Sequence, residues 1–263
     1  MSPPASSTST LPVALVTGAG RRIGRAIALA LAGAGWRVAV HFGTSRAAAE
    51  QTVADIEALG GVAAAFDCDL SSEAETSRLV GRVQAYFDRI DAVVNNAGRF
   101  EYDDAASFSA ASLNAHIAPN LIAPIILARD LSAAVRQRGI DARGVVVNLL
   151  DQKLWNYNSD FLSYTLSKAA LEAANTMLAQ SLAPSVRVVG VAPGLTLPSH
   201  MQSTEAFART HAMAPLGRAS EPKNVADAVV FAASNSAITG TTIVVDGGQH
   251  LVGFARDFSM MQP

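Results

Sequence analysis

Short apolar runs of strand length alternate with Ala- and Leu-rich segments of helical length along this chain, and that alternation restricts the fold more than any other feature. A strand followed by a helix rejoins its sheet in parallel, with helices covering both faces. The runs 13–17, 37–42, 62–66, 92–95, 145–150, 186–191 and 242–245 read as strands. Helices are expected over 24–34, over 46–59 with the stop Gly60-Gly61, and from an N-cap at Ser72 to about 88, with Glu75 three residues past the cap. Further helices are expected over 114–136, where Pro119 and Pro124 bend or break the first part, over 157–182, ending before Pro184, and over 221–233. The fold class is α/β, a doubly wound parallel sheet.

At 263 residues, 50% hydrophobic and 16% charged, the chain has apolar material for one sizeable core, and no interdomain linker or repeat divides it. Residues 1–11 are rich in Ser, Thr and Pro and are expected to form a disordered tail before a single domain over 12–263. The tail lacks the basic and apolar regions of a signal peptide, and no stretch approaches about twenty uninterrupted apolar residues. Both features point to a cytoplasmic protein with no membrane partner. A net charge of -2 supplies no field that favours nucleic acid. Cys68 is the sole cysteine, so no intrachain disulfide forms, and it reads as a small buried hydrophobe. The breaks over 195–220 mark a substrate lid.

Ligands of an open parallel sheet lie beyond the carboxyl ends of the strands, so the residues there are the candidates for chemistry. After the first strand comes Thr17-Gly18-Ala19-Gly20-Arg21-Arg22-Ile23-Gly24, a glycine turn leading into a helix whose backbone N–H groups can approach a pyrophosphate. After the second comes His41-Phe42-Gly43-Thr44-Ser45-Arg46, which has no acid for a ribose 2′-hydroxyl. Hydroxyls and a cation suit a 2′-phosphate, favouring NADPH over NADH; Thr44 and Ser45 also suit a helix cap. Asp69, followed by Leu70, is either an acceptor for an adenine amino group or a turn residue. Asn95-Asn96-Ala97-Gly98 follows the fourth strand. Tyr164 and Lys168, four apart, share a helical face, so the ammonium can lower the phenol pKa.

With Thr17-Gly18 and Gly24, Asn95-Asn96-Ala97-Gly98, Tyr164 with Lys168, Pro193-Gly194 and Asp246-Gly247-Gly248 in this order, the chain resembles the short-chain dehydrogenase/reductase family from about 12 to 251. The resemblance implies a single-domain Rossmann-like fold, no metal, and a cofactor site that includes Asn96, Ala97, Gly98, Tyr164, Lys168, Pro193, Gly194 and Leu195. It implies that Asn120 holds a proton-relay water, with Asn114 as a competing assignment. It also implies a homotetramer packed through the helices near 114–136 and 157–182.

Two departures narrow the resemblance. Asp151 stands thirteen residues before Tyr164, where the family has a serine, and Arg22 stands where it has a glycine. Together they are similar to the pteridine reductase branch, including the dihydromonapterin and dihydrofolate reductases of this fold, which reduce a ring C=N bond. That resemblance makes Arg22, Phe100, Asp151 and Tyr164 the substrate contacts, with Phe100 stacking on the pterin, and Asp151, Tyr164, Lys168 and Asn120 the catalytic set. A carbonyl reductase of the same family and a non-catalytic NADP(H)-binding sensor or scaffold are the alternatives. Gly98 departs from the serine of some pteridine reductases. Trp155, Asn156 and Tyr157 either line the pocket mouth or cover it.

Overall fold

The apolar runs form strands β1 (Val13–Val16), β2 (Arg37–Phe42), β3 (Ala63–Asp67), β4 (Ala92–Asn95), β5 (Gly144–Leu149), β6 (Val186–Pro193) and β7 (Thr242–Val245). All pair in parallel, in the order β3-β2-β1-β4-β5-β6-β7. The structure, a computed structural model, describes residues 11–198 and 203–261. Val16 lies opposite Val40 on one side and Val94 on the other, so the strand order turns back at β1, and a crevice opens beyond the ends of β1 and β4.

Helices α1 (Arg22–Gly33), α2 (Arg46–Ala58) and α8 (Pro222–Ser234) cover one face; α3 (Glu73–Phe87), α5 (Ala123–Gln137) and α6 (Leu162–Leu182) cover the other. The pleat divides the strand residues between two layers. Val16, Val40, Val94 and Val147 pack on Ile27, Leu31, Val225 and Val229, whereas Leu15, Val93 and Val146 pack on Leu79, Val83, Phe87, Leu127 and Leu131. Each fully buried leucine of these layers contributes roughly 1.5–3 kcal/mol. A smaller cluster of Leu150, Leu154, Leu171 and Ala192 lies beyond the end of β5.

Several boundaries differ from the sequence expectation. The helical run expected over 114–136 extends over Ala110–Gln137, as α4 (Ala110–Ile117), a π turn (Ala118–Ile122) and α5. Pro119 and Pro124 each remove a helical donor, and the wider π turn between them keeps the run continuous instead of breaking it. By length and composition this run is apolar enough to cross a membrane. Its Leu127, Leu131 and Val135 are instead fully buried in the core.

The helix expected from 157 starts at Leu162, because residues before it form a 3-10 turn (Gln152–Trp155) and Phe161 takes a left-handed φ of 57°. Within the expected lid, residues 203–220 include a helix, α7 (Thr204–Ala212), capped by the Ser203 hydroxyl; 199–202 lie outside the described residues. Ser72 caps α3 as expected, but the Glu75 carboxylate accepts from the Asp69 N–H, so the reciprocal half of a capping box is missing. Of the expected tail, 1–10 lie outside the described residues, and the Leu11 carbonyl accepts from Arg37 Nε at 3.2 Å. Cys68 is buried, which pushes its thiol up to about 11.

Candidate active site

A cleft of about 610 Å³ opens beyond the ends of β1, β2, β4, β5 and β6. Its floor begins at α1, which starts with no side-chain cap and no acid in its first turn. The first N–H groups of a helix lack intrahelical partners, and here they carry the positive end of the helix dipole to the cleft wall formed by Arg21, Arg22, Ile23 and Gly24. Close packing builds that wall. A Cβ on Gly24 would lie inside van der Waals contact of the Gly18 carbonyl oxygen and of Asn96 Nδ2. We expect Gly24→Ala to lose about 1–3 kcal/mol of stability, read as a lower Tm, and to weaken anionic-cofactor binding; an unchanged Tm would remove this packing role.

Behind the wall, several sequence-predicted cofactor contacts turn away from the cleft. Thr17 is buried, and its Oγ1 accepts from the Asn96 and Ala97 N–H groups, each at 3.0 Å, which ties the β1 turn to the β4 turn. The Asn96 amide donates to the Thr17 carbonyl at 2.9 Å, though the residue itself lines the cleft. Gly20 backs onto the start of α2. His41 offers no cation to a ribose phosphate: its Nδ1 accepts from Gly18 N–H at 3.1 Å and its Nε2 donates to the Cys68 carbonyl at 3.0 Å. Those partners require the neutral ring, and burial pushes the imidazole below its ordinary value. The Leu195 N–H is spent on Gln249 Oε1 at 2.8 Å. Thr17, Gly20, His41 and Leu195 thus hold the cleft's shape from behind, while Asn96 both braces and lines it.

Other candidates do meet at the cleft. Gly18, Phe42, Thr44, Ser45, Ala97, Gly98, Pro193 and Gly194 line it. Ser45 stands at the N-cap of α2, yet its hydroxyl makes no capping bond. Arg46 lies just outside, 5.1 Å over the Phe42 ring and 3.6 Å from Glu50. An adjoining cavity of about 230 Å³ is lined by Asp69 and Leu70; Asp69 Oδ1 also closes a turn by accepting from Ser71 N–H. Arg22 adopts φ 54°, a left-handed conformation that explains why glycine suits this position and that costs an arginine roughly 1–2 kcal/mol. Its guanidinium donates twice to the Pro198 carbonyl, at 3.1 Å each.

At the inner end, Tyr164 and Lys168 project from one face of α6, with Lys168 Nζ 5.9 Å from the Tyr164 ring centre and donating to the Leu149 carbonyl at 2.6 Å. Tyr164 donates to Asp151 Oδ2 at 2.9 Å, and Asp151 Oδ1 accepts from Lys153 N–H at 2.8 Å. The electrostatics correct the sequence expectation. Burial, then the Asp151 charge and hydrogen bond, push the Tyr164 phenol well above its ordinary value, so it is not depressed by the lysine. Burial pushes the Asp151 carboxyl up and the Lys168 ammonium down to about 8. The phenol is a fixed proton donor facing an acid that holds its own proton more tightly than usual.

Asn120 sits in the π turn, and its side chain is committed to the loop after β4. Oδ1 accepts from Arg99 N–H at 2.8 Å, and Nδ2 donates to the Arg99 carbonyl and to Ser167 Oγ. The competing Asn114 belongs to α4 and lines neither cavity. Phe100 lines the cleft, stacks on Phe161 at 4.2 Å and meets the Tyr164 ring edge-on at 4.7 Å.

Apart from Asn95, the residues that orient α6 belong to no sequence motif. The Asp103 carboxylate accepts from Ser163 N–H at 2.9 Å and from the Ser163 hydroxyl, supplying the cap that Phe161 lacks. Buried amides of Asn95, Asn148 and Asn175 bond in series from β4 through β5 to α6. These partners are distant in sequence, and no local spacing announces them. Trp155 and Tyr157 are exposed, whereas the Asn156 amide bonds the Val252 carbonyl.

Residues 18–250 match the family model described as Enoyl-(Acyl carrier protein) reductase. The chain is 31% identical to Pteridine reductase 1 of Leishmania tarentolae, over 93% of this chain and 98% of that one. It is 33% identical to the Granaticin polyketide synthase putative ketoacyl reductase 2 of Streptomyces violaceoruber, over 92% and 97% of the two chains. Among solved structures, FolM Alternative dihydrofolate reductase 1 from Brucella suis, in complex with NADP, superposes with a TM-score of 0.87 at 41% identity, over 93% of this chain and 97% of that one. The sheet order, the Tyr164–Lys168 pair and these likenesses agree: the chain belongs to the short-chain dehydrogenase/reductase family, on its pteridine reductase-like side.

Proposed function

We propose that the protein is an NADPH-dependent reductase of a pterin or dihydrofolate-like substrate, acting on a ring C=N bond. The observation that carries this reading is the 2.9 Å bond from Tyr164 to Asp151, a carboxyl group where the family has a serine. A serine hydroxyl suits a carbonyl oxygen; a carboxyl group can pair with the amino-pyrimidine edge of a pterin or carry a proton to a ring nitrogen.

The residues fit the cofactor. The uncapped α1 start and Arg21 suit a pyrophosphate, and the rim hydroxyls of Thr44 and Ser45, with Arg46 beside them and no acid at the end of β2, suit a 2′-phosphate. When bound, NADPH supplies a hydride. Lys168, held by the Leu149 carbonyl, orients the nicotinamide ribose, and Phe100 supplies an apolar face for the pterin ring. Arg22 contributes the cation at the rim, Asn120 supports the water relay, and residues 195–220 form the lid.

The proton route follows from the side chains. With Asp151 ionised, the phenol proton points at Oδ2. Once Asp151 is protonated, Oδ2–H donates to the phenol oxygen and the Tyr164 O–H is released toward the ring nitrogen. The proton leaves Tyr164 as Asp151 replaces it, so no tyrosinate accumulates beside a carboxylate.

A spectrophotometric panel tests the reading: NADPH oxidation with dihydropterins or dihydrofolate is expected, and turnover only with simple ketones or oxoacyl thioesters would replace it by the carbonyl reductase alternative. NADPH affinity, read by fluorescence without substrate, should weaken as pH rises through about 8, where the Lys168 ammonium loses its charge; Lys168→Arg should remove that step. We also assign the exposed Ile122, Leu166 and Met177 to the faces of a homotetramer.

A further inference from the structure

We infer that residues 252–260 form a clasp behind the active site, in which Lys153 and Asp257 act as positioning residues for Asp151. The inference rests on the role just given to Asp151.

Lys153 belongs to the turn directly after Asp151, and its side chain is 4% exposed. A buried ammonium is costly unless its protons are met. Here Nζ donates to the Asp160 carbonyl at 2.6 Å and to Asp257 Oδ2 at 3.0 Å, and lies 5.3 Å over the Phe161 ring. Asp257 comes from the far end of the chain, and its other oxygen caps the final turn by accepting from Ser259 N–H and Oγ. Three further bonds close the clasp. Arg256 Nε and Asp257 N–H both donate to the Asp160 carboxylate, at 2.8 and 2.7 Å, and the Asn156 amide bonds the Val252 carbonyl.

The clasp reaches the chemistry by two paths. Through the backbone, the N–H of Lys153 donates to Asp151 Oδ1, so fixing Lys153 fixes the carboxylate. Through the rings, Phe161 stacks on Phe100, which meets Tyr164. The final turn also packs against α7, linking the clasp to the lid region. A buried ion pair is a poor source of stability compared with apolar residues of similar volume, and a role in fixing one arrangement accounts for its presence.

The titratable and charged groups facing Asp151 are Lys153 from its own turn, Tyr164 and Lys168 from α6, and Asp257 from the final turn. Asp257 raises the Asp151 carboxyl and Lys153 lowers it, so the two partners act in opposite directions.

The test is a carbon-13 carboxyl NMR titration of Asp151 in the full-length protein, assigned with Asp151→Asn. Asp257→Asn should lower the Asp151 midpoint by about half a pH unit or more, and Lys153→Met should raise it by a similar amount. The kcat profile for dihydropterin reduction should move with it, with the NADPH Kd unchanged. An Asp151 midpoint that stays put or rises in Asp257→Asn overturns the proposal, and a fall in Lys153→Met does so independently. No substrate enters the titration, so a failed pterin assay with shifted midpoints would sink the substrate reading alone.

Discussion

Tyr164→Phe should lower kcat about 10²- to 10⁴-fold, the usual value of a positioned proton donor, while the NADPH Kd changes by less than about twofold. The substitution is nearly isosteric. The ring keeps its edge contact with Phe100 at 4.7 Å, and Lys168 keeps the Leu149 carbonyl at 2.6 Å, so the cleft retains its shape. Only the O–H is lost, and with it the 2.9 Å bond to Asp151. The elevated phenol is central to the size of the effect: burial and Asp151 keep the proton on Tyr164 throughout the neutral range, so the wild-type donor is always loaded. Single-turnover decay of NADPH absorbance, with the cofactor saturating, reads the proton-coupled step directly. A Tyr164→Phe protein within about threefold of wild type would remove the phenol from the reaction. A wild-type protein that binds NADPH and turns over nothing in the panel would favour the sensor alternative.

The sheet was legible because parallel strands buried on both faces leave continuous apolar runs: Val93 and Val94 are both fully buried, on opposite faces. The glycine turn was legible because Gly18 and Gly24 meet a steric demand that few residues satisfy. What the spacing did not convey was direction. Thr17 and His41 occur where ligand contacts occur, yet both spend their polar atoms on the backbone of neighbouring turns. The start of α6 was misplaced for a related reason: its cap comes from Asp103, sixty residues away from Ser163 in the chain. Lys153 and Asp257, 104 residues apart, belong to no motif at all. Long-range polar pairs that set orientation leave no periodicity, so they appear only once the fold brings them together.

Asp151→Ser should lose dihydropterin turnover by about 10²-fold or more while retaining NADPH binding, and Asp151→Asn should behave alike. The pair separates two roles. Asparagine keeps one carbonyl oxygen, which can accept from Lys153 N–H in place of Oδ1, while its NH2 takes the place of Oδ2 and can only donate to the phenol oxygen; it has no acidic proton to give. Serine restores the common family group and removes the carboxyl entirely. If Asp151 served only to grip the amino-pyrimidine edge, asparagine would keep part of that grip, and KM would rise more than kcat fell. If it reloads Tyr164, kcat falls in both variants. The pH profile carries the sign. Burial raises the Asp151 carboxyl, so wild-type kcat should climb as pH falls through that elevated value and decline above it, where the carboxylate recaptures the phenol proton. Asp151→Asn should flatten that limb, because its amide does not titrate. A limb that persists unchanged in Asp151→Asn would assign it to another group, and equal turnover by wild type and Asp151→Ser would leave the carboxyl without a part in the chemistry.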